Sequence, residues 1–216
     1  MVRAGLNVTA LCESNAWRRS RLSRQFPTVR IFDDVRTIMP PYADVCFGGP
    51  PCQATSVAAA IHGYRSGESL WGEMFRAGIA AGCEWFVVEQ PPGNAAWEAE
   101  VAGDLSRSGR HVAVVEFGAN DVGAPYLRRR RYLVASPSLS RLEVAWRSIP
   151  QAIDRAKRAA NARGDWDPSA IPPFGVDTWR SERVDDRKQR IEALGDSNPP
   201  AMAEAIGYML VEGIAA

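Results

Sequence analysis

The chain reads as an α/β protein whose sheet is largely parallel and wound on both faces. Two observations point there. Short apolar runs alternate with helical stretches along the first 135 residues, and several of those runs stop at a carboxylate or a glycine-proline cluster, the usual end of a buried strand. The length of 216 residues suits one main domain. Apolar residues at 46% and charged residues at 24% describe an ordinary folded protein, with little room for extended disorder.

Asn7 to Glu13 is expected to form a strand, followed by a basic helix from Asn15 to about Gln25, a break at Pro27, and a strand from Arg30 to Asp34. Ala43 to Gly48 is a buried strand closed by Gly48-Gly49-Pro50-Pro51. Leu70 to Ala81 has helical character, Trp85 to Glu89 is a further buried strand, and Ala95 to Ser108 a helix. Val112 to Phe117 and Tyr132 to Ala135 complete the strands, and with no helix between them they suit a hairpin at one edge. Prolines 137, 150, 168, 172 and 173 mark residues 136–186 as a short loop-rich insert, with one charged helical stretch at Gln151 to Arg163. Residues 187–216 read as helices returning to the core formed by residues 1–135.

Composition narrows the function. Cys12, Cys46, Cys52 and Cys83 lack close or CxxC spacing, and His62 and His111 stand far apart, a pattern that favours neither a zinc site nor a disulfide framework. No apolar run reaches the roughly 20 residues of a membrane span, and the N-terminus lacks a signal-peptide layout, so a cytoplasmic protein is expected. The net charge of +1 conceals that 24 of 26 basic residues are arginine, which suits bidentate phosphate contacts and equally a GC-rich gene.

Ligands in such sheets bind beyond the carboxyl ends of the strands, where Glu13, Asp34, the segment after Gly48 and Glu89 all fall. Phe47-Gly48-Gly49-Pro50-Pro51-Cys52-Gln53 places a thiol on a proline-stiffened loop there. This stretch resembles the Pro-Cys-Gln motif of the cytosine-5 DNA methyltransferases. Val87-Val88-Glu89-Gln90 is similar to the family's Glu-Asn-Val, matching at the glutamate. Tyr126-Leu127-Arg128-Arg129-Arg130 is similar to its Gln-x-Arg-x-Arg, with tyrosine in the glutamine place. Gly195-Asp196-Ser197-Asn198-Pro199-Pro200, running on to Ala205-Ile206-Gly207, resembles the C-terminal motif, and Ser69-Leu70-Trp71 a short leucine motif. Five motifs stand in family order.

The resemblance implies a Rossmann-like S-adenosylmethionine-dependent methyltransferase sheet and methyl transfer to carbon 5 of cytosine in double-stranded DNA, the target base being flipped out of the stack. Cys52 would add to carbon 6, Glu89 would face ring nitrogen 3, and Arg128 and Arg130 would hold the base carbonyl, the catalytic loop or a nearby phosphate. Glu13 would accept the ribose hydroxyls of the cofactor and Asp34 its adenine amino group, with Val35, Pro51, Leu70 and Ser197 lining it. The blander readings are a small buried thiol for Cys52, a strand-end cap or salt-bridge partner for Glu89, helix caps for Glu13 and Asp34, and a solvated basic run for the arginines. The Arg128 to Arg131 run is expected to meet phosphate in preference to Arg18, Arg19, Arg21 and Arg24.

Family members open with a strand and a Phe-x-Gly-x-Gly-Gly loop, whereas Met1 to Leu6 resembles the end of the helix that follows. The first strand is therefore expected to be missing. A late start or truncation, a second chain or self-association that supplies the strand, and a remodelled fold all account for this. The rival functions are a catalytically impaired methyltransferase-like DNA- or protein-binding protein, and a methyltransferase acting on RNA. The small size suggests a prokaryotic or phage origin.

Overall fold

The computed structural model describes residues 1–50, 69–166, 189 and 198–216. A four-stranded sheet forms its centre in the order β3 (Val45–Gly48), β4 (Trp85–Gln90), β6 (Arg129–Ser136), β5 (His111–Gly118). β3 and β4 run parallel, while β6 lies antiparallel to both β4 and β5. β1 (Ala10–Cys12) and β2 (Arg30–Phe32) form a separate parallel pair. Among the described strands the sheet is thus mixed and not largely parallel. β6 enters between β4 and β5, a register that the hairpin expectation for the last two strands allows but does not specify.

β4 holds the two faces together. All six of its residues are buried, and alternate side chains go to opposite sides. Trp85 and Val87 join Tyr132, Val134, Val115 and Phe117 in one cluster. Phe86 and Val88 join Leu133 and Ala135 in the other. The first cluster is covered by α4 (Leu139–Arg147), α5 (Ile149–Arg163) and α6 (Pro200–Ala215), which contribute Leu142, Ala156, Met202, Ile206 and Leu210. The second is covered by α2 (Trp71–Ala80) and α3 (Ala95–Arg107), through Trp71, Met74, Trp97, Val101 and Leu105. A strand buried on both sides carries a continuous apolar run, and for that reason Trp85 to Val88 was legible as a strand.

The stretch read as a loop-rich insert is, from Leu139 to Arg163, two helices joined at Ser148. Ser138 accepts from the backbone N–H of Arg141 to cap the first, and Pro150 sits in the first turn of the second, where its missing N–H costs nothing. Proline there starts a helix instead of breaking one. Pro168, Pro172 and Pro173, the expected helix from Arg187 to Leu194, and residues 51–68 lie outside the described residues, apart from Gln189, which is helical.

β1 and β2 flank α1 (Ala16–Gln25), and none of these three elements has a fully buried residue. Arg76 on α2 secures them: its Nη2 donates to the carbonyls of Val35 (2.7 Å) and Arg36 (3.0 Å), just past β2. The N-terminal half of α2 also overlies the carboxyl end of β3, since a Cβ on Gly48 would lie 3.2 Å from Met74. The C-terminal end of α2 meets the start of β3, where Ala43 N–H donates to the Ala81 carbonyl. Arg76 thus ties the segment that follows β2 to the helix that covers β3.

The packing of α2 on β4 leaves no room for a side chain at Gly78. A Cβ there would stand 2.6 Å from Phe86 Cζ and 3.1 Å from Cys46 Cβ, and Phe86 is wholly buried. Gly78→Ala should destabilise the protein by about 1–3 kcal/mol through overpacking, offset by up to about 1 kcal/mol of helix propensity. Urea unfolding measures the net loss; a stabilised variant would contradict this packing.

Candidate active site

Glu89 is the last but one residue of β4, and Tyr132 pairs with it across the β4–β6 ladder. Its carboxylate is 9% exposed, and its Oε1 lies 2.5 Å from Arg130 Nε. Residues 130 and 132 of β6 share a face, while 129 and 131 point to the other. Arg129 and Arg131 accordingly pair with Glu116, at 2.8 and 2.7 Å, and Arg131 also with Glu98 at 2.5 Å. The basic run is thus divided. Arg129 and Arg131 are paired with carboxylates on one face and Arg130 with Glu89 on the other.

Burial pushes the Glu89 carboxyl above its ordinary value of 4.5, against the opposing pull of Arg130 and Arg128. Desolvation is the larger effect, as expected for a charge withdrawn from water. Beyond Arg130, Tyr132 is fully buried and donates from its hydroxyl to Asn198 Oδ1 at 2.9 Å, and burial raises its pKa as well. Asn198 belongs to the C-terminal motif, so this bond carries that motif to the β4–β6 ladder beside Glu89. The sequence reading missed Tyr132 because an aromatic in an apolar run looks like core. Its period-two phase with Arg130 was the available signal.

Gly49 closes the opposite side. A Cβ on it would come within 2.7 Å of Glu89 Oε2 and 3.3 Å of the Glu89 carbonyl oxygen. The backbone leaving β3 therefore passes directly against the carboxylate, and a side chain at position 49 would push Glu89 from this position. Pro50, the next residue, is buried. Cys52, Pro51 and Ser197 lie outside the described residues.

The remaining expected residues fall at the carboxyl ends of β1 and β2 and at the start of α2. Glu13 follows β1 and accepts from the Asn15 N–H through Oε1 at 2.8 Å. Asp34 follows β2 and accepts from the Arg36 N–H at 2.9 Å. Each therefore closes a local turn two residues long, and neither caps a helix, since α1 is capped by the Asn15 side chain and residues 35–37 form a turn. They nevertheless converge: Asp34, Glu13 and Asp33 all add to the burial that raises the Cys12 thiol pKa. Val35 is half-buried with its carbonyl bound by Arg76, and Leu70 is the N-cap residue of α2. Two groups result, an acidic one beyond β1 and β2 and the Glu89–Arg130 group beyond β4. Among the described residues no cluster of histidine, cysteine or carboxylate side chains suits a metal ion, and no helix is long and apolar enough to cross a membrane.

No protein-family profile matches the chain, and no curated protein matches it. Solved structures do match. A triple mutant of Spodoptera frugiperda DNMT2 superposes with a TM-score of 0.51 at 18% identity, over 64% of this chain and 46% of that one. A protein assigned as a DNA modification methyltransferase, encoded within an E. coli prophage, gives 0.48 at 20% identity over 62% and 41%. The Dnmt2 methyltransferase of S. pombe gives 0.45 at 15% over 62% and 45%. The chain spans less than half the length of each of these proteins. The first of these similarities establishes the fold: a Rossmann-like α/β fold of the kind found in S-adenosylmethionine-dependent methyltransferases.

A carboxyl whose pKa is raised by folding binds its proton more tightly in the folded state, so stability declines as pH climbs from the ordinary 4.5 through the higher value. Glu89→Gln removes that titration. Urea unfolding across roughly pH 4 to 8 should show a shallower decline for the variant than for the wild type; parallel curves would mean that the Arg130 pairing outweighs burial at this carboxyl.

Proposed function

We propose that the protein transfers a methyl group from S-adenosylmethionine to carbon 5 of cytosine in DNA, with Cys52 as nucleophile. The observation that carries this reading is the contact between Gly49 and Glu89. It sets a half-dry carboxyl against the backbone that leads, three residues on, to the Pro51-Cys52-Gln53 motif. Cytosine is a weak carbon nucleophile, so carbon 5 needs activation by addition of a thiolate to carbon 6. Electron density then reaches ring nitrogen 3, and a carboxyl held above its ordinary value by burial is suited to protonate or hydrogen-bond that nitrogen. Glu89 has that property, and Arg130 fixes its orientation.

The ring must end aromatic. Once carbon 5 has taken the methyl group and S-adenosylhomocysteine is left, the carbon-5 proton leaves to a base, the carbon–sulfur bond breaks to return Cys52 as thiolate, and the proton on ring nitrogen 3 goes back to Glu89. The cofactor supplies an electrophilic methyl sulfonium when bound. Glu13 would hold its ribose hydroxyls and Asp34 its adenine amino group. The fit is supported by the nearness of both carboxylates to Cys12 at the end of β1, whose thiol pKa each helps to raise. Pro51, Leu70 and Ser197 would line the rest. Arg128 acts electrostatically on Glu89 and Tyr132 and is suited to the base carbonyl or a phosphate.

A duplex carrying 5-fluorocytosine tests the chemistry directly, because fluorine at carbon 5 cannot leave as a proton does. With S-adenosylmethionine present, a covalent protein–DNA adduct should form and should vanish in Cys52→Ala. Glu89→Gln should lower methyl transfer by about 10²–10⁴-fold, the usual contribution of a general acid. No adduct with the wild-type chain, under conditions where S-adenosylhomocysteine binds, would rule out this chemistry.

A further inference from the structure

Between Glu13 and Asp33 the chain carries five arginines, Arg18, Arg19, Arg21, Arg24 and Arg30, and no carboxylate. The basic run at 128–131 differs, because Arg129, Arg130 and Arg131 are each paired with an acid. Helical spacing sorts the arginines of α1. Trp17, Arg21 and Arg24 recur at four and three residues and share one face, with Arg18 at its margin. Arg19 turns away from that face, and its Nη1 donates to the carbonyls of Glu13 and Ser14 at the turn that enters the helix. Arg21 and Arg24 are exposed, as is Arg30 at the start of β2, and among the described residues none of these three has a carboxylate partner.

Two of them rest on aromatic rings. The Arg21 guanidinium carbon lies 4.8 Å from the centre of the Trp17 ring, and that of Arg30 lies 4.5 Å from the centre of the Phe32 ring. A guanidinium held by its flat face keeps its in-plane N–H groups for an acceptor outside the protein. The chain itself supplies no acidic segment to answer these charges: residues 51–68 hold Glu68 against Arg65, and residues 167–197 hold seven acids against five bases. A lipid surface calls for apolar side chains beside the charges, and residues 14–32 expose no large one. Duplex DNA asks for charge alone, with one phosphate per roughly 1.7 Å of axis.

We propose that the exposed face of α1, with Arg21 and Arg24 at its centre and Arg30 following in the chain, is a sequence-independent contact for the phosphate backbone of double-stranded DNA, separate from the Glu89 site. The helix begins just past Glu13, and Arg24 stands about 12 Å further along its axis, so the contact leads away from the acidic group beyond β1 and β2. It holds the duplex by charge and reads no base. Its contribution is affinity that falls as salt rises, through release of counterions from the DNA. The choice of DNA rests on the proposed methyl transfer, whereas the contact itself requires neither cofactor nor Cys52.

Fluorescence anisotropy of a labelled duplex of arbitrary sequence tests it, with the 216-residue protein, no cofactor, and NaCl varied from about 50 to 200 mM. The triple variant Arg21→Gln, Arg24→Gln, Arg30→Gln should bind about tenfold or more weakly at the lower salt, and its plot of log affinity against log salt should be shallower by about 2–3. The same three positions changed to lysine should keep the wild-type slope. Arg107, Arg147 and Arg158 are exposed and paired with acids; their change to glutamine alters net charge equally and should leave affinity and slope as they were. Cys52→Ala should bind like the wild type, which separates failure of the proposed chemistry from failure of this contact. Equal losses in the two glutamine variants, a lysine variant as weak as its glutamine counterpart, no binding by the wild type, or tighter binding of polyglutamate or duplex RNA than of DNA would each overturn the proposal.

Discussion

The Glu89–Arg130 ion pair is the constraint around which the site is built. Both side chains are about nine-tenths buried, so each has surrendered hydration that an exposed pair keeps. Such a pair adds little net stability, yet removal of one partner typically costs about 3–5 kcal/mol because the other charge is left stranded. The pair therefore fixes geometry more than it strengthens the fold. It binds the end of β4 to the start of β6, and the backbone from β3 approaches Glu89 closely at position 49, which has no side chain.

From this follows the division of labour among the arginines. Arg130 is held by Glu89, while its neighbours on the opposite face are occupied by Glu116 and Glu98. Strand pleat alone assigns adjacent residues of identical chemistry to separate tasks. Arginine can serve both because its planar fork engages carboxylates in more than one direction.

Much of this was legible in the sequence. Strand existence followed from apolar runs, which also placed Glu89 at a strand end, whereas the close approach of Gly49 to its carboxylate was not foreseen. What escaped was non-local. The chain order of β5 and β6 does not reveal that β6 intervenes between β4 and β5, because register across a sheet depends on packing partners far away in sequence. Leu139 to Arg147 was passed over since Pro137 and Pro150 look like breakers, although the second occupies a first helical turn. Tyr132 was hidden within β6 because a buried hydroxyl declares itself only through its partner, here Asn198, 66 residues along the chain.

The uneven burial of the chain also bears on its dynamics. Nearly the whole described core lies in the four-stranded half, whereas β1, α1 and β2 bury no residue completely and Ile38 and Pro50 are the buried residues among residues 1–50. A segment with so little apolar surface removed from water forms its own cooperative unit and opens at lower free energy than the rest. That unit includes Glu13 and Asp34. Any ligand gripped by those two carboxylates would spend part of its binding free energy on holding the amino-terminal unit shut, so affinity and local order would rise and fall together as linked equilibria.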